Sequence, residues 1–316
     1  MNTAATPIAV PSPADAARRA GSRLKRIGLG LLIALVALAA LGFVYQTAAT
    51  ALDRRNYTAP GQMVDVGGRQ MHLYCTGANR DGRPTVILEQ GGGSNVLGWF
   101  LVQPEVARST RVCAYDRAGQ GWSDPGPQPR DGAHIASDLH TLLAAAGVPG
   151  PYVLAGHSYG GLIVRLFAQT HPSRTAGLVM LDAFGPPLQH LFGPLWPRYV
   201  ARLNHPGTPI DADPGFETVN TGEAFASVRR APRLAAFPMV VVSKTEPFGV
   251  SPDFPVVLHT RLEAAWPRAQ QALVRLEPDT PHVYATGSDH YVQMHAPDVS
   301  IAAIRRVVTR ARGGGA

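Results

Sequence analysis

Between Ile27 and Leu52 the chain has no charged residue. Few segments of a water-exposed domain stay uncharged for that long. The chain as a whole is poor in charge, with 16% of residues charged against 45% hydrophobic, which excludes a disordered polyelectrolyte and suits a packed core. There are only two cysteines in 316 residues, so no dense disulfide framework holds the chain together. No internal repeat is present, which excludes a repeat array. The net charge of +7 is almost all arginine, and much of it is local: Arg18, Arg19, Arg23, Lys25 and Arg26 all precede the uncharged stretch. The remaining positive charge is dispersed, with no basic stripe interleaved with aromatics, so nucleic acid is not an expected partner.

The uncharged stretch is long enough to cross a bilayer, at about 20 residues per crossing. Positive residues before it and none just after predict an N-terminus in the cytoplasm and the rest of the chain on the far, periplasmic or extracellular, side. The preferred reading is an uncleaved signal anchor over residues 27–48, because the apolar run exceeds the roughly 7–15 residues of a cleaved signal. Cleavage after Ala49-Thr50-Ala51, giving a secreted protein, and a buried core helix are the alternatives. Residues 1–26 read as a disordered basic cytoplasmic tail, since their first part is rich in Ala, Pro and Ser without periodicity.

Beyond the apolar segment, short apolar runs alternate with helical patterns. Met63–Val66 and Gln70–Cys75 flank Gly67-Gly68 and read as a β-hairpin. Strands are expected at Thr85–Glu89, Val112–Tyr115, Pro151–Ala155, Ala176–Asp182, Pro238–Val242 and His282–Ala285, and helices at Val96–Ala107, His134–Ala145, Gly161–Ala168, Arg261–Arg275 and Val299–Arg312. That rhythm predicts an α/β fold with a mostly parallel sheet, an antiparallel N-terminal hairpin and helices on both faces. A Pro- and aromatic-rich interruption, about residues 184–235, is too long for an ordinary connection and reads as a helical cap.

Chemistry concentrates at Gly156-His157-Ser158-Tyr159-Gly160, a G-x-S-x-G sequence between an apolar strand and an apolar helix. A serine on such a sharp turn is exposed, and small neighbours let the chain make the turn. A serine hydroxyl needs a base, an acid to orient that base, and donors for the oxyanion. His290 follows the last strand and falls on the same rim as Ser158. Asp182, at the end of its strand, is the preferred acid, and Glu246 and Asp253 are the alternatives. The oxyanion donors are expected at the backbone N–H of Tyr159 and of Gly92, in the glycine run after Glu89. Asp116-Arg117-Ala118-Gly119-Gln120-Gly121-Trp122-Ser123-Asp124 reads as an architectural turn. Cys75 and Cys113 are either bridged in an oxidising compartment or two inert buried thiols.

Taken together, the G-H-S-Y-G-G elbow, the D-R-A-G-Q-G-W-S-D loop and the terminal G-S-D-H-Y make the chain resemble the α/β-hydrolase superfamily, over about Met63 to Arg312. The resemblance implies a hydrolase domain over residues 55–316 and a serine hydrolase acting on esters or related acyl compounds through an acyl-enzyme. It requires no metal and no cofactor, and the apolar cap suits a hydrophobic small-molecule acyl substrate. Acyl transfer by the same residues and a non-catalytic membrane-tethered binding module are the competing readings. Two departures stand out: Gln90-Gly91 replaces the common His-Gly of the oxyanion loop, and Ser243-Lys244-Thr245-Glu246 replaces a G-x-x-D turn. The second departure is what raises Asp182. In this fold the hairpin neighbours the strand of Cys113, so the resemblance also implies a Cys75–Cys113 disulfide.

Overall fold

The structure, a computed structural model, describes residues 13–78, 82–205, 218 and 220–312. The chain divides after Thr58 into two compact units. The first is a single helix, α1 (Pro13–Asn56). It starts well before Ile27, which corrects the expected disordered tail for residues 13–26: Ala, Arg and Leu are strong helix formers and Pro suits a first helical position. The part of the tail before Pro13 lies outside the described residues. Within α1, Lys25–Thr50 has a mean hydropathy of 2.7 and is long and apolar enough to cross a membrane.

The second unit is an eight-stranded sheet wrapped by helices. In chain order it contains β1 (Gln62–Asp65), β2 (Gln70–Thr76), β3 (Thr85–Glu89), α2 (Gln103–Ala107), β4 (Val112–Tyr115), α3 (Gly132–Ala145), β5 (Tyr152–His157), α4 (Tyr159–Thr170) and β6 (Thr175–Leu181). There follow α5 (Leu188–Phe192), α6 (Trp196–Asn204), α7 (Thr221–Arg230), β7 (Met239–Lys244), α8 (Val256–Val274), β8 (His282–Ala285), α9 (Val292–His295) and α10 (Pro297–Arg312). The strand order is β1-β2-β4-β3-β5-β6-β7-β8. Pairing is antiparallel for β1–β2 and β2–β4 and parallel elsewhere.

Strands β3 to β7 read as near-continuous apolar runs because helices cover both faces. One core packs α3, α4, α8 and the cap helices against Ile87, Leu154, Met180 and Val241. The other packs α2, α9 and α10 against Val86, Val153, Val179 and Val240. The alternation of neighbouring residues between the two cores is the strand period of two, used twice. The cap is α5, α6 and α7, inserted between β6 and β7.

Local chemistry moves several boundaries. The segment expected as one helix over Val96–Ala107 is a short 3₁₀ turn, Val96–Trp99, then α2. Asn95 caps the turn by accepting from Leu97 N at 3.0 Å, and Pro104 starts the helix afresh. Asp131 caps α3 through His134 N, so that helix begins at Gly132. In α8, Pro267 lies inside a helix that starts at Val256, ahead of the expected Arg261.

One strand in from the sheet edge, Cys75 lies directly opposite Cys113 across β2–β4, and the two form a disulfide. The bridge closes a loop of 38 residues and restricts the unfolded chain. Replacing both cysteines by alanine lowers the unfolding free energy by about 2–4 kcal/mol, read from urea denaturation. An equal loss when reductant is added to the unsubstituted protein assigns the effect to the bond; no loss in either case refutes it.

Candidate active site

Three strands carry the site at their carboxyl ends, the rim where ligands meet open α/β sheets. After β5 the chain turns at once into α4, and Ser158 is the turning residue, with φ 53° and ψ −122°. That conformation is strained for a residue with a side chain. Two glycines make room for it. A Cβ on Gly156 would lie 2.6 Å from Gly160 O, and one on Gly160 would lie 2.4 Å from Gln90 O. The elbow is thus packed backbone to backbone against the loop after β3.

After β6, Asp182 also takes a positive φ, 41°. Its backbone N–H still donates to Val242 O at 2.7 Å, continuing the β6–β7 pairing. Its side chain is fully buried. One oxygen accepts from Trp266 Nε1 at 2.8 Å and Lys244 N at 3.1 Å, and the other lies 2.7 Å from His290 Nδ1. A buried carboxylate is costly unless hydrogen-bonded, and here it meets three partners.

His290 follows β8. Its Nε2 lies 2.8 Å from Ser158 Oγ. Phe248 and Trp266 flank the ring, with centroids 4.6 and 5.3 Å away. Ser158, His290 and Asp182 therefore form one hydrogen-bonded line, assembled from sequence separations of 132 and 108 residues. In this arrangement Nδ1–H of a neutral His290 donates to the carboxylate, and Nε2 accepts from the serine hydroxyl.

Glu246 is not part of that line. It lies beyond Lys244 and Thr245, its backbone N–H donates to Ser288 O, and its carboxylate contacts the Thr245 hydroxyl at 3.4 Å. Asp253 pairs with Arg202 at 2.7 Å. Tyr159 and Gly92 line the same cavity as Ser158 and His290. The Tyr159 N–H sits in the first turn of α4, where backbone N–H groups lack helical acceptors. The cavity measures about 190 Å³, and Phe184, Tyr199, Leu203, Phe248, Phe254 and Leu262 supply its apolar wall. The cap contributes Tyr199, Leu203 and Thr221.

Several residues that shape the site carried no signal in the sequence. Arg117, read above only as part of an architectural turn, is fully buried. It pairs with Glu89 at 2.6 Å and donates to Gln90 O at 2.7 Å and Gly91 O at 2.8 Å. Tyr115 donates to the other Glu89 oxygen. A planar guanidinium holding two successive carbonyls fixes the tilt of the peptides that follow them. Those peptides bear the N–H groups of Gly91 and Gly92. Asp116 does serve architecture: it accepts from Val96 N, Trp122 N and His72 Nδ1.

His157 packs against His290, with ring centroids 4.6 Å apart. Its Nε2–H donates to His290 O at 2.8 Å, and its Nδ1 accepts from Gln293 Nε2 at 3.3 Å. Full burial, and next the neighbouring His290, hold its pKa well below the usual 6.5. An unfolded chain takes up a proton on this histidine below pH 6.5, whereas the folded one does not. Stability is therefore full above that pH and is lost as pH falls. Urea titrations of the unsubstituted protein and His157→Asn compared between pH 7 and pH 5.5 give an extra loss in the former approaching about 1.4 kcal/mol per pH unit. Parallel pH profiles would show that His157 takes up a proton in the folded state.

A family model described as alpha/beta hydrolase fold matches residues 84–208. The chain is 33% identical over 153 residues to an uncharacterized protein of Schizosaccharomyces pombe, covering 40% of this chain and 29% of that protein. It is 34% identical over 133 residues to a 2-hydroxy-6-oxo-2,4-heptadienoate hydrolase of Pseudomonas putida, covering 40% and 45% of the two. The chain thus spans less than half the length of these curated relatives. Among solved structures, it is similar to a thermophilic esterase from Thermogutta terrifontis, with a TM-score of 0.55, 20% identity, and coverage of 79% of this chain and 98% of that one.

Proposed function

We propose that this chain, which has the α/β-hydrolase fold, is a serine hydrolase that cleaves ester or related acyl bonds through an acyl-enzyme. The observation that carries the reading is the line from Ser158 Oγ through His290 to Asp182, with both links under 3 Å. As His290 Nε2 takes the hydroxyl proton, Ser158 Oγ attacks the acyl carbon and the carbonyl π electrons move onto oxygen. The buried Asp182 carboxylate orients the imidazole and stabilises the imidazolium. Collapse of the tetrahedral species expels the alcohol, protonated by His290, and leaves the acyl group on Ser158. Water, deprotonated by His290, then releases the acid by the same steps in reverse.

The oxyanion falls to the N–H groups of Tyr159 and Gly92. Both residues border the cavity, one at a helix N-terminus and one in a loop tied down by Arg117. The apolar wall from Phe184 and the cap suits a hydrophobic acyl or alcohol group. The apolar part of α1 is proposed as a membrane anchor, with the hydrolase domain on the non-cytoplasmic side. A disulfide suits that compartment.

The test is turnover of a panel of nitrophenyl esters, with fluorophosphonate labelling, on the full chain in neutral detergent. Ser158→Ala loses both turnover and labelling. Asp182→Asn lowers kcat by about three to four orders of magnitude, because it stabilises the wrong tautomer. Glu246→Gln stays within about twofold, since the imidazole Nδ1 bonds Asp182 and the Glu246 carboxylate contacts only the Thr245 hydroxyl among the described residues. Retained turnover in purified Ser158→Ala would falsify the reading.

Arg117 gives an independent check of the oxyanion loop. Its replacement alone strands the buried Glu89 carboxylate, so the informative variant is the double Glu89→Gln, Arg117→Met. With the peptides of Gly91 and Gly92 released, kcat falls by about 100-fold while KM moves only a few-fold. A folded double variant with unchanged kcat removes Arg117 from the proposed machinery.

A further inference from the structure

Away from Ser158, α4, α7, the segment leading into β7 and the end of α8 border a second cavity of about 580 Å³ that is open to solvent. Four arginines line it, Arg165, Arg229, Arg233 and Arg275, against one acid, Glu277. Arginines near helix ends are ordinary, because they complement the negative C-terminal end of the helix dipole. Arg229 in the last turn of α7 and Arg275 at the end of α8 fit that account. Arg165 and Arg233 do not: Arg165 lies in the middle of α4, and Arg233 lies in the non-helical run between α7 and β7.

Arg165 is the more telling of the two. Its Nε and Nη1 are buried and have no hydrogen-bond partner. Burial alone brings its pKa down to about 10, so it stays cationic at neutral pH. A guanidinium taken out of water without an anion is costly. Glu277 does not provide that anion. Its carboxylate forms no ion pair among the described residues, and burial raises its pKa. Two independent features therefore point the same way: an excess of guanidinium groups around one cavity, and a largely buried member of the set left uncompensated.

We infer that this cavity is an anion site that takes a phosphate group bearing two or more negative charges, presented by a soluble phosphate compound or by a lipid headgroup. Guanidinium forks match phosphate oxygens two at a time, which a chain using arginine in place of lysine is equipped to exploit. The volume admits a phosphate together with part of the group that carries it. The inference does not rest on the hydrolase reading, since none of these residues touches the Ser158 cavity.

Calorimetry on the full chain in neutral detergent tests it. Pyrophosphate is the soluble probe, and micelles doped with phosphatidic acid are the lipid probe. Arg165→Met and Arg233→Ser each weaken binding about tenfold or more, as loss of a charged hydrogen-bonding partner should. Glu277→Gln tightens it, because the one opposing charge is gone. Arg108→Ser, on an exposed arginine paired with Glu105, leaves it unchanged. This pattern with pyrophosphate assigns a soluble ligand, and the same pattern with phosphatidic acid alone assigns a headgroup. Absence of binding to both probes overturns the proposal. So does binding that ignores Arg165 and Arg233, or that Arg108→Ser weakens equally.

Discussion

The elbow and the loop after β3 touch backbone to backbone, and much of the site follows from that contact. Gly160 lies so close to Gln90 O and Glu89 O that a Cβ there would fall 2.4 and 2.6 Å from them. Neither segment can shift without the other. Arg117 then holds Gln90 O and Gly91 O, and Glu89 holds Arg117. A charged pair without solvent exposure adds little net stability to a fold. Its directional hydrogen bonds do constrain the peptides that carry the proposed oxyanion donors. The strain of Ser158 at φ 53° is sustained by the same packing, which leaves the turn no room to relax.

The polar groups under the sheet rim are arranged on a common plan. Asp116 and Asp182 both follow a parallel strand, both are fully buried, and both take several donors from distant segments. Each lies 2.7 or 2.8 Å from a histidine nitrogen. The two differ in what the histidine meets next. His72 passes from Asp116 to the carbonyl of Pro60 and ends in structure, whereas His290 passes from Asp182 to a hydroxyl open to a cavity. Similar carboxylate–histidine chemistry thus serves a loop tie in one place and a proposed reaction in the other. The distinction lies in access, not in residue type.

Access is also what the sequence conveys poorly. The succession of strands and helices, the cap interruption and the elbow are legible because they are written in local periodicity and in small residues at fixed offsets. The choice between Asp182 and Glu246 is not, because both follow strands that border one another and both lie near β8 in the sheet. A positive φ at Asp182, invisible in an L-residue, turns that carboxylate to His290, and Trp266, 84 residues on, secures it. Arg117 was hidden for a related reason. Its motif resembles a turn and partly is one, through Asp116, Ser123 and the glycines. Its guanidinium acts 26 to 28 residues back, on carbonyls that no side-chain pattern reveals.

The disulfide belongs to the same argument. It sits on β4 at Cys113, and that strand runs directly through Tyr115 into Asp116 and Arg117. Tyr115 and Arg117 grip the two oxygens of Glu89, so the position of β4 sets the position of the loop after β3. On its other side β4 pairs with β2, near the sheet edge, where fewer neighbours resist fraying. A covalent bond between Cys75 and Cys113 closes that weak side without using any residue of the site. An oxidising compartment, the one the anchor reading calls for, is where such a bond persists. Under the proposed anchor, the three features are linked: an oxidising compartment maintains the bridge, the bridge holds β4, and β4 aims the guanidinium at the loop beside Ser158.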